Sequence, residues 1–321
     1  YLGVIRETEK VALRKNNLSV IREELKAAND RFEVGEITKT DVALAEARLA
    51  ASNSALAVAK GSYEKAVASF ISAIGDNPNS LEYPNFVPKI PDTLEDAIAI
   101  ALTEHPSIEE LKNLIKVSEI NLKIADLATG FTVSLGSSVS LDEEGESSGE
   151  LSITASGPIF SGGKLYSSSR KKIALNEQVL ARLYSSKISI EQNVTNAFSS
   201  LQVAKAAKSA AEEQIRATEV ALKGVKEEAV LGARTTLDVL NAEKDLLDAR
   251  VQLISAKVDE NLSMYRLLLQ IGRLNADFLN LPVRQYDVKK YYDLVKGSPA
   301  SKTKSGRDLD KLLKSLTKDN P

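Results

Sequence analysis

The 321-residue sequence contains no cysteine and a single histidine, His105. That excludes disulfide staples and thiol catalysis, and it removes nearly every metal site built from Cys and His. No nucleophile–base pair and no metal-ligand spacing stands out, so neither an enzyme, a metal nor a cofactor is expected. No run of 18 apolar residues is present, so no transmembrane helix is expected, and no signal peptide is visible. Lys+Arg (42) and Asp+Glu (44) nearly cancel and are interspersed, which leaves no electrostatic footprint for nucleic acid. Tryptophan is absent and aromatics make up 5%. Ala, Leu, Ser, Lys and Glu dominate instead, the composition of long helices packing closely on small residues.

What the chain does contain, it contains twice. Val34-Gly35-Glu36-Ile37-Thr38-Lys39-Thr40-Asp41-Val42 returns as Leu231-Gly232-Ala233-Arg234-Thr235-Thr236-Leu237-Asp238-Val239. Without a gap the match continues through Leu49 with Leu246 and Leu56 with Leu253 to Ile74-Gly75 with Ile271-Gly272. A repeated unit expects a neighbouring copy to pack against, and two copies suit halves that occupy equivalent places in a ring. The chain opens at Tyr1, already inside a helical pattern, and is expected to be a fragment that begins within the first copy.

The first-repeat hairpin (1–75) reads as a helix from Tyr1 to about Phe32, a turn at Gly35 and a second helix from about Lys39 to Ile74. Thr38-x-x-Asp41 is a capping pattern that also places a carboxylate at the positive end of the helix dipole. Along Val42, Ala45, Leu49, Ser52, Leu56, Ala59 and Tyr63 the steps alternate three and four, which predicts a supercoiled partner. Residues 76–129 read as a connector, with helices beginning at Thr93-x-x-Asp96 and at Ser107-x-x-Glu110. His105, beside Pro106, is expected at the surface as a helix-start residue.

From 130 to 163 the period changes to two. Phe131, Val133, Leu135, Val139 and Leu141 alternate with Thr and Ser; after an acidic turn from Asp142 to Gly149, Leu151, Ile153, Ala155 and Ile159 do the same. Each strand has the ~9–11 residues that a tilted transmembrane strand needs. One apolar and one Ser/Thr face fits lipid outside and water inside. Two strands cannot hide their own edges, so a closed barrel requires several chains. Pro158 and Gly162-Gly163 turn the strand back into helix. Residues 164–276 then read as a helix from about Leu165 to Val230, roughly 100 Å at about 1.5 Å per residue, a turn at Gly232, and a last helix capped by Thr235-x-x-Asp238. Its seam is expected at Leu240, Lys244, Leu247, Val251, Ile254, Val258, Asn261, Tyr265 and Leu268. Lys244, and Lys208 on the preceding helix, interrupt apolar seams and are read as snorkelling over the seam or facing water inside a tube, not as ligands. The tail, 277–321, is expected to be largely disordered apart from a short helix at 309–316.

These glycine turns, the Gly157-Pro-Ile-Phe-Ser-Gly-Gly163 junction and the membrane-sized strand pair feeding a very long helix together resemble the TolC-like outer-membrane efflux proteins, over about residues 1–280. The fold class is therefore mainly α with one β-hairpin: long antiparallel coiled-coil hairpins plus a two-strand transmembrane hairpin. The resemblance implies a homotrimer forming an α/β barrel in the outer membrane and a tunnel through the periplasm. It also implies a missing N-terminal part with a signal sequence, a first long helix and a first strand pair. The implied activity is that of a passive exit duct in efflux or type I secretion, working with a periplasmic adaptor, an inner-membrane transporter and outer-membrane lipid.

By the same resemblance, the helix turns close the periplasmic end. Asp238 falls where an acidic ring surrounds the narrowest point, and Asn241 stands where a second acid is found. Arg234 matches a basic residue that locks neighbouring tips to the positions of Thr40 and Asp41. Capping alone accounts for Asp41 and Asp238. A soluble coiled-coil scaffold binding partners through its hairpins is the alternative; the Ser-lined strands discriminate between the two.

Overall fold

The computed structural model describes residues 1–84, 88–141, 147–283 and 287–295, together with residues 304, 307, 308 and 311; the side chains of residues 141, 294 and 295 are outside that description. Two units are distinct, Tyr1–Arg273 and Leu274–Pro321. In the first, the order is α1 (Leu2–Glu33), α2 (Lys39–Ile74), α3 (Leu94–Glu104), α4 (Pro106–Leu127), β1 (Thr132–Leu141), β2 (Ser147–Ser156), α5 (Lys164–Val230) and α6 (Thr236–Gln270). The mainly helical class with one β-hairpin holds.

Helix α5 runs without a break for 67 residues. It packs along α6 and receives α3 and α4, while α1 packs on α2 and also on α6. The α5 seam buries Ile190, Val194, Leu201, Ala204 and Ala211, spaced as its heptad steps require. The α6 seam is wider than a single 3.5-residue stripe. Leu246 and Leu247, then Leu267 and Leu268, are buried as adjacent pairs, whereas Lys244 is exposed. The reason is that α6 faces two helices, α5 and α1, so neighbouring positions both point into protein. Ion pairs flank it on both sides: Arg6 with Asp259 and Arg14 with Asp248 toward α1, Lys208 with Glu260 (2.8 Å) and Arg250 with Glu219 (2.9 Å) toward α5. Lys208 is thus a paired residue, and Lys244 pairs with Asp248 on its own helix.

The connector joins the second repeat through close approaches. Ala97 and Ala101 of α3 are fully buried, so α3 lies near the α5 backbone. Helix α4 starts one residue earlier than its Ser107 pattern suggested. Pro106 takes the first helical position, and His105 caps by accepting the Ser107 amide on Nδ1 (3.2 Å). Half-burial lowers the His105 pKa. Gly272 ends α6 against this corner, and Arg273 grips Glu104 through two bonds of 2.7 and 2.8 Å.

The hairpin is in register from Thr132↔Ser156 to Leu141↔Ser147. The second strand begins at Ser147, within the segment read as turn, and ends at Ser156, before Ile159. A Cβ on Gly157 would enter the Phe131 ring, so the chain leaves the ladder there beneath an aromatic lid. The acidic residues 142–146 lie outside the described residues. In the second unit a helix, α7 (Val288–Val295), replaces part of the tail expected to be disordered; Asp287 caps it by accepting the Lys289 and Lys290 amides at 2.9 and 3.0 Å. Of the expected helix at 309–316, only residue 311 is described.

Candidate functional site

The two hairpin turns are built by the same pair of devices. At the end of α1 the Gly35 amide donates to the Phe32 carbonyl (3.0 Å) and the Glu36 amide to the Arg31 carbonyl (2.9 Å). At the end of α5 the Gly232 amide donates to Ala229 (3.0 Å) and the Ala233 amide to Glu228 (2.9 Å). This double closure needs a left-handed residue, and both glycines supply it, with φ of 79° and 77°. Three residues later each returning helix opens with a reciprocal capping box. Oδ2 of Asp41 and of Asp238 accepts the Thr38 and Thr235 amides at 2.9 Å and their hydroxyls at 2.7 and 2.8 Å. In return the Asp amides donate to the threonine hydroxyls at 3.3 and 3.2 Å.

These bonds stabilise the ionised carboxylates. The Thr38 hydroxyl and amide hold Asp41 below the usual carboxylate range, with Arg31 adding to the effect. The Thr235 amide and hydroxyl do the same for Asp238, with Arg234 adding. Both groups stay charged near neutrality.

Where the copies differ, they differ in charge. Arg31 pairs with Glu36 across the first turn (3.1 Å), whereas Glu228, at the repeat position of Arg31, pairs with Arg234 across the second (2.7 Å). The polarity of the cross-turn pair is inverted. Arg31 at a helix C-terminus suits the dipole; Glu228 opposes it and is offset by Arg234. The charge swap between equivalent positions was legible in the repeat, although Glu228 was not singled out from sequence. The other missed residue is Arg48 of α2, whose Nη2 donates to Asn241 Oδ1 at 2.6 Å. The position beside Asp238 therefore carries an amide with a guanidinium on it.

A cleft of about 400 Å³ separates the two turns. Glu24, Arg31, Glu36, Thr38 and Asp41 line it from the first repeat, and Arg234, Thr235 and Leu240 from the second. The structure thus brings Asp41 and Arg234 to one cleft, while Thr40, Asp238 and Asn241 are outside its lining. Within this chain Arg234 is held by Glu228.

At the other end, β1 and β2 present an uncovered apolar face: Val133, Leu135, Leu151 and Ile153 are 69–76% exposed. The opposite face carries Ser140 against Ser148 (2.8 Å) and the Ser134 hydroxyl on the Thr154 carbonyl (3.4 Å). Pro158, Gly162 (φ 58°) and Gly163 (φ 83°) lead into α5, with Gly163 as its N-cap. Among the described residues neither strand has a partner on its outer edge, no group of acidic or His side chains forms a metal site, and no helix is long and apolar enough to cross a membrane.

Residues 101–272, more than half of the chain, match the model of the family described as outer membrane efflux protein. The chain belongs to that family. Its relatives include the outer membrane efflux protein BepC of Brucella suis, 32% identical over 303 residues that cover 92% of this chain and 66% of BepC. The alkaline protease secretion protein AprF of Pseudomonas aeruginosa is 24% identical over 302 residues, covering 88% of this chain and 61% of AprF. The chain therefore spans roughly two thirds or less of these relatives. The fold is shared with the open-state MtrE outer membrane channel of Neisseria gonorrhoeae (TM-score 0.73, 22% identity, 86% of this chain and 65% of that one). It is also shared with the CmeC outer membrane channel of Campylobacter jejuni (TM-score 0.71, 15% identity, 91% and 63%). Outer membrane efflux proteins are channels rather than enzymes, and the bacterial outer membrane, with a periplasmic extension, is where this family resides.

Proposed function

We propose that the whole protein is a passive, trimeric outer-membrane exit duct whose periplasmic end is closed by the α1–α2 and α5–α6 turns. The observation that carries this reading is the convergence on one cleft of two turns that share the same backbone closure and capping box, with Asp41 and Arg234 in its lining. The strand pair supports the other end of the duct. It has membrane length, an uncovered apolar face and edges that are unpaired among the described residues and that other copies can pair with. Three copies then join their hairpins into one barrel, and the long helices continue it as a tunnel. A periplasmic adaptor and an inner-membrane transporter supply the cargo and the energy, in efflux or in type I secretion.

Asp238 forms the charged constriction. Asn241, with Arg48 on its amide, lowers the negative charge beside it, so cation preference is modest. Arg234 exchanges Glu228 for Asp41 and Thr40 of a neighbouring tip when the aperture closes. The test is Asp238→Ala in the full-length protein recorded in planar bilayers: cation preference drops several-fold. Unchanged selectivity reduces Asp238 to a helix cap and defeats this reading of the constriction.

A further inference from the structure

Helix α1 packs on α6, and there Glu24 comes within interaction range of Glu243. The side chain of Glu243 is 8% exposed and its Oε1 is taken by Lys226 of α5. Oε2 of Glu243 and Oε2 of Glu24 are both buried with no hydrogen-bond partner. Two acceptors confined together without a donor are each left with the cost of desolvation, unless a proton lies between them. Charge leads to the same conclusion. Lys226 is paired with Glu243, and among the described residues Glu24 has no ion pair of its own.

We infer that Glu24 and Glu243 share one proton and form a pH-sensitive clasp that ties the first-repeat hairpin to the second above the turns. With the proton in place, the cluster of two carboxyls and one ammonium is neutral and every buried oxygen is satisfied. Without it, two like charges face each other in a partly buried site and push α1 away from α6. Other charges nearby are already engaged. Arg31 on α1 is bonded to Glu36, Asp41 on α2 to Thr38, and Arg250 on α6 to Glu219. Burial, then the hydrogen bond to Glu243 that exists only while the proton is in place, then the charge of Glu243, push the Glu24 pKa up to about 8 against the opposing pull of Lys226. Because the folded value lies above the ordinary 4.5, the clasp is at full strength below about pH 4.5, weakens as pH rises, and is lost above about 8.

The clasp is independent of whether the turns gate a channel; only its effect on conductance rests on that reading. In the full-length protein in lipid, infrared difference spectra should show a protonated carboxyl that titrates near pH 8 and is missing from Glu24→Gln. Spin labels at Asn29→Cys and Asp245→Cys, diluted with unlabelled chains, should report one α1–α6 distance at pH 6 and a second, longer one at pH 9. Glu24→Gln, which keeps the hydrogen bond without the charge, should hold the short distance at both. A distance in the parent protein that ignores pH, or a pH response that persists in Glu24→Gln, overturns the clasp. Separation with unchanged conductance upholds the clasp and counts against the gate.

Discussion

Gly272→Ala tests how the second repeat is fastened to the connector. Three glycines in the first unit end helices in the same way, Gly35, Gly232 and Gly272, with φ of 77–79°. A methyl group on Gly35 or Gly232 meets nothing within 4 Å, whereas on Gly272 it falls 2.8 Å from His105 Cα and 2.8 Å from Pro106 Cδ. All three substitutions incur the left-handed strain of about 1–2 kcal/mol. Gly272→Ala alone adds overpacking against backbone, about 1–3 kcal/mol more. The end of α6 and the α3–α4 corner must then part, which also loosens the Arg273–Glu104 fork. Hydrogen exchange in the full-length protein is the assay, since it reads local opening. Gly272→Ala should accelerate exchange around 101–108 and 265–272 by roughly tenfold or more beyond what Gly232→Ala does at its own turn, at about 1.4 kcal/mol per factor of ten. Equal effects at the two sites would refute the argument from close approach.

Gly157→Ala should drive the Phe131 ring from its place and shift the strand–helix junction, read as altered strand register by labelling at Val133 and Ile153; an unchanged register would show that the ring moves freely. The caps at both turns depend on ionised Asp41 and Asp238, whose pKa values are depressed. Their contribution is present above about pH 3.8 and lost as pH falls through the lowered values. Acidification should therefore fray residues 36–42 and 233–239 together in hydrogen exchange, and Thr38→Ala with Thr235→Ala should produce the same fraying at neutral pH, about 1 kcal/mol per cap. Protection that persists through both perturbations would mean that the turns are held by something other than their capping boxes.

Much of this fold was legible because its rules are local. Gly35 and Gly232 with Thr38-x-x-Asp41 and Thr235-x-x-Asp238 specify turn and cap within a few residues, and the period-two stretch around Val133 and Ile153 announces strands. Tertiary demands were not legible. The paired burial of Leu246 with Leu247 follows from α6 touching two helices, a fact no single-helix period contains. His105 displaced Ser107 as a cap because Pro106 prefers the first helical position. The partners of the candidate site, Glu228 for Arg234 and Arg48 for Asn241, depend on side-chain reach across a turn or between helices. Glu24 and Glu243 lie over two hundred residues apart and share no motif, so only the packing of α1 on α6 brings them together.

If the paired turns form the closing aperture of a duct, breaking the lock between them must open it. The decisive measurement is single-channel conductance of the full-length protein with Arg234→Ser and Asp41→Ala combined. Conductance should rise several-fold above that of the parent, with Glu228→Gln alone leaving the closed state intact because it frees Arg234 for the neighbouring tip. A double variant that conducts no better than the parent would contradict the aperture.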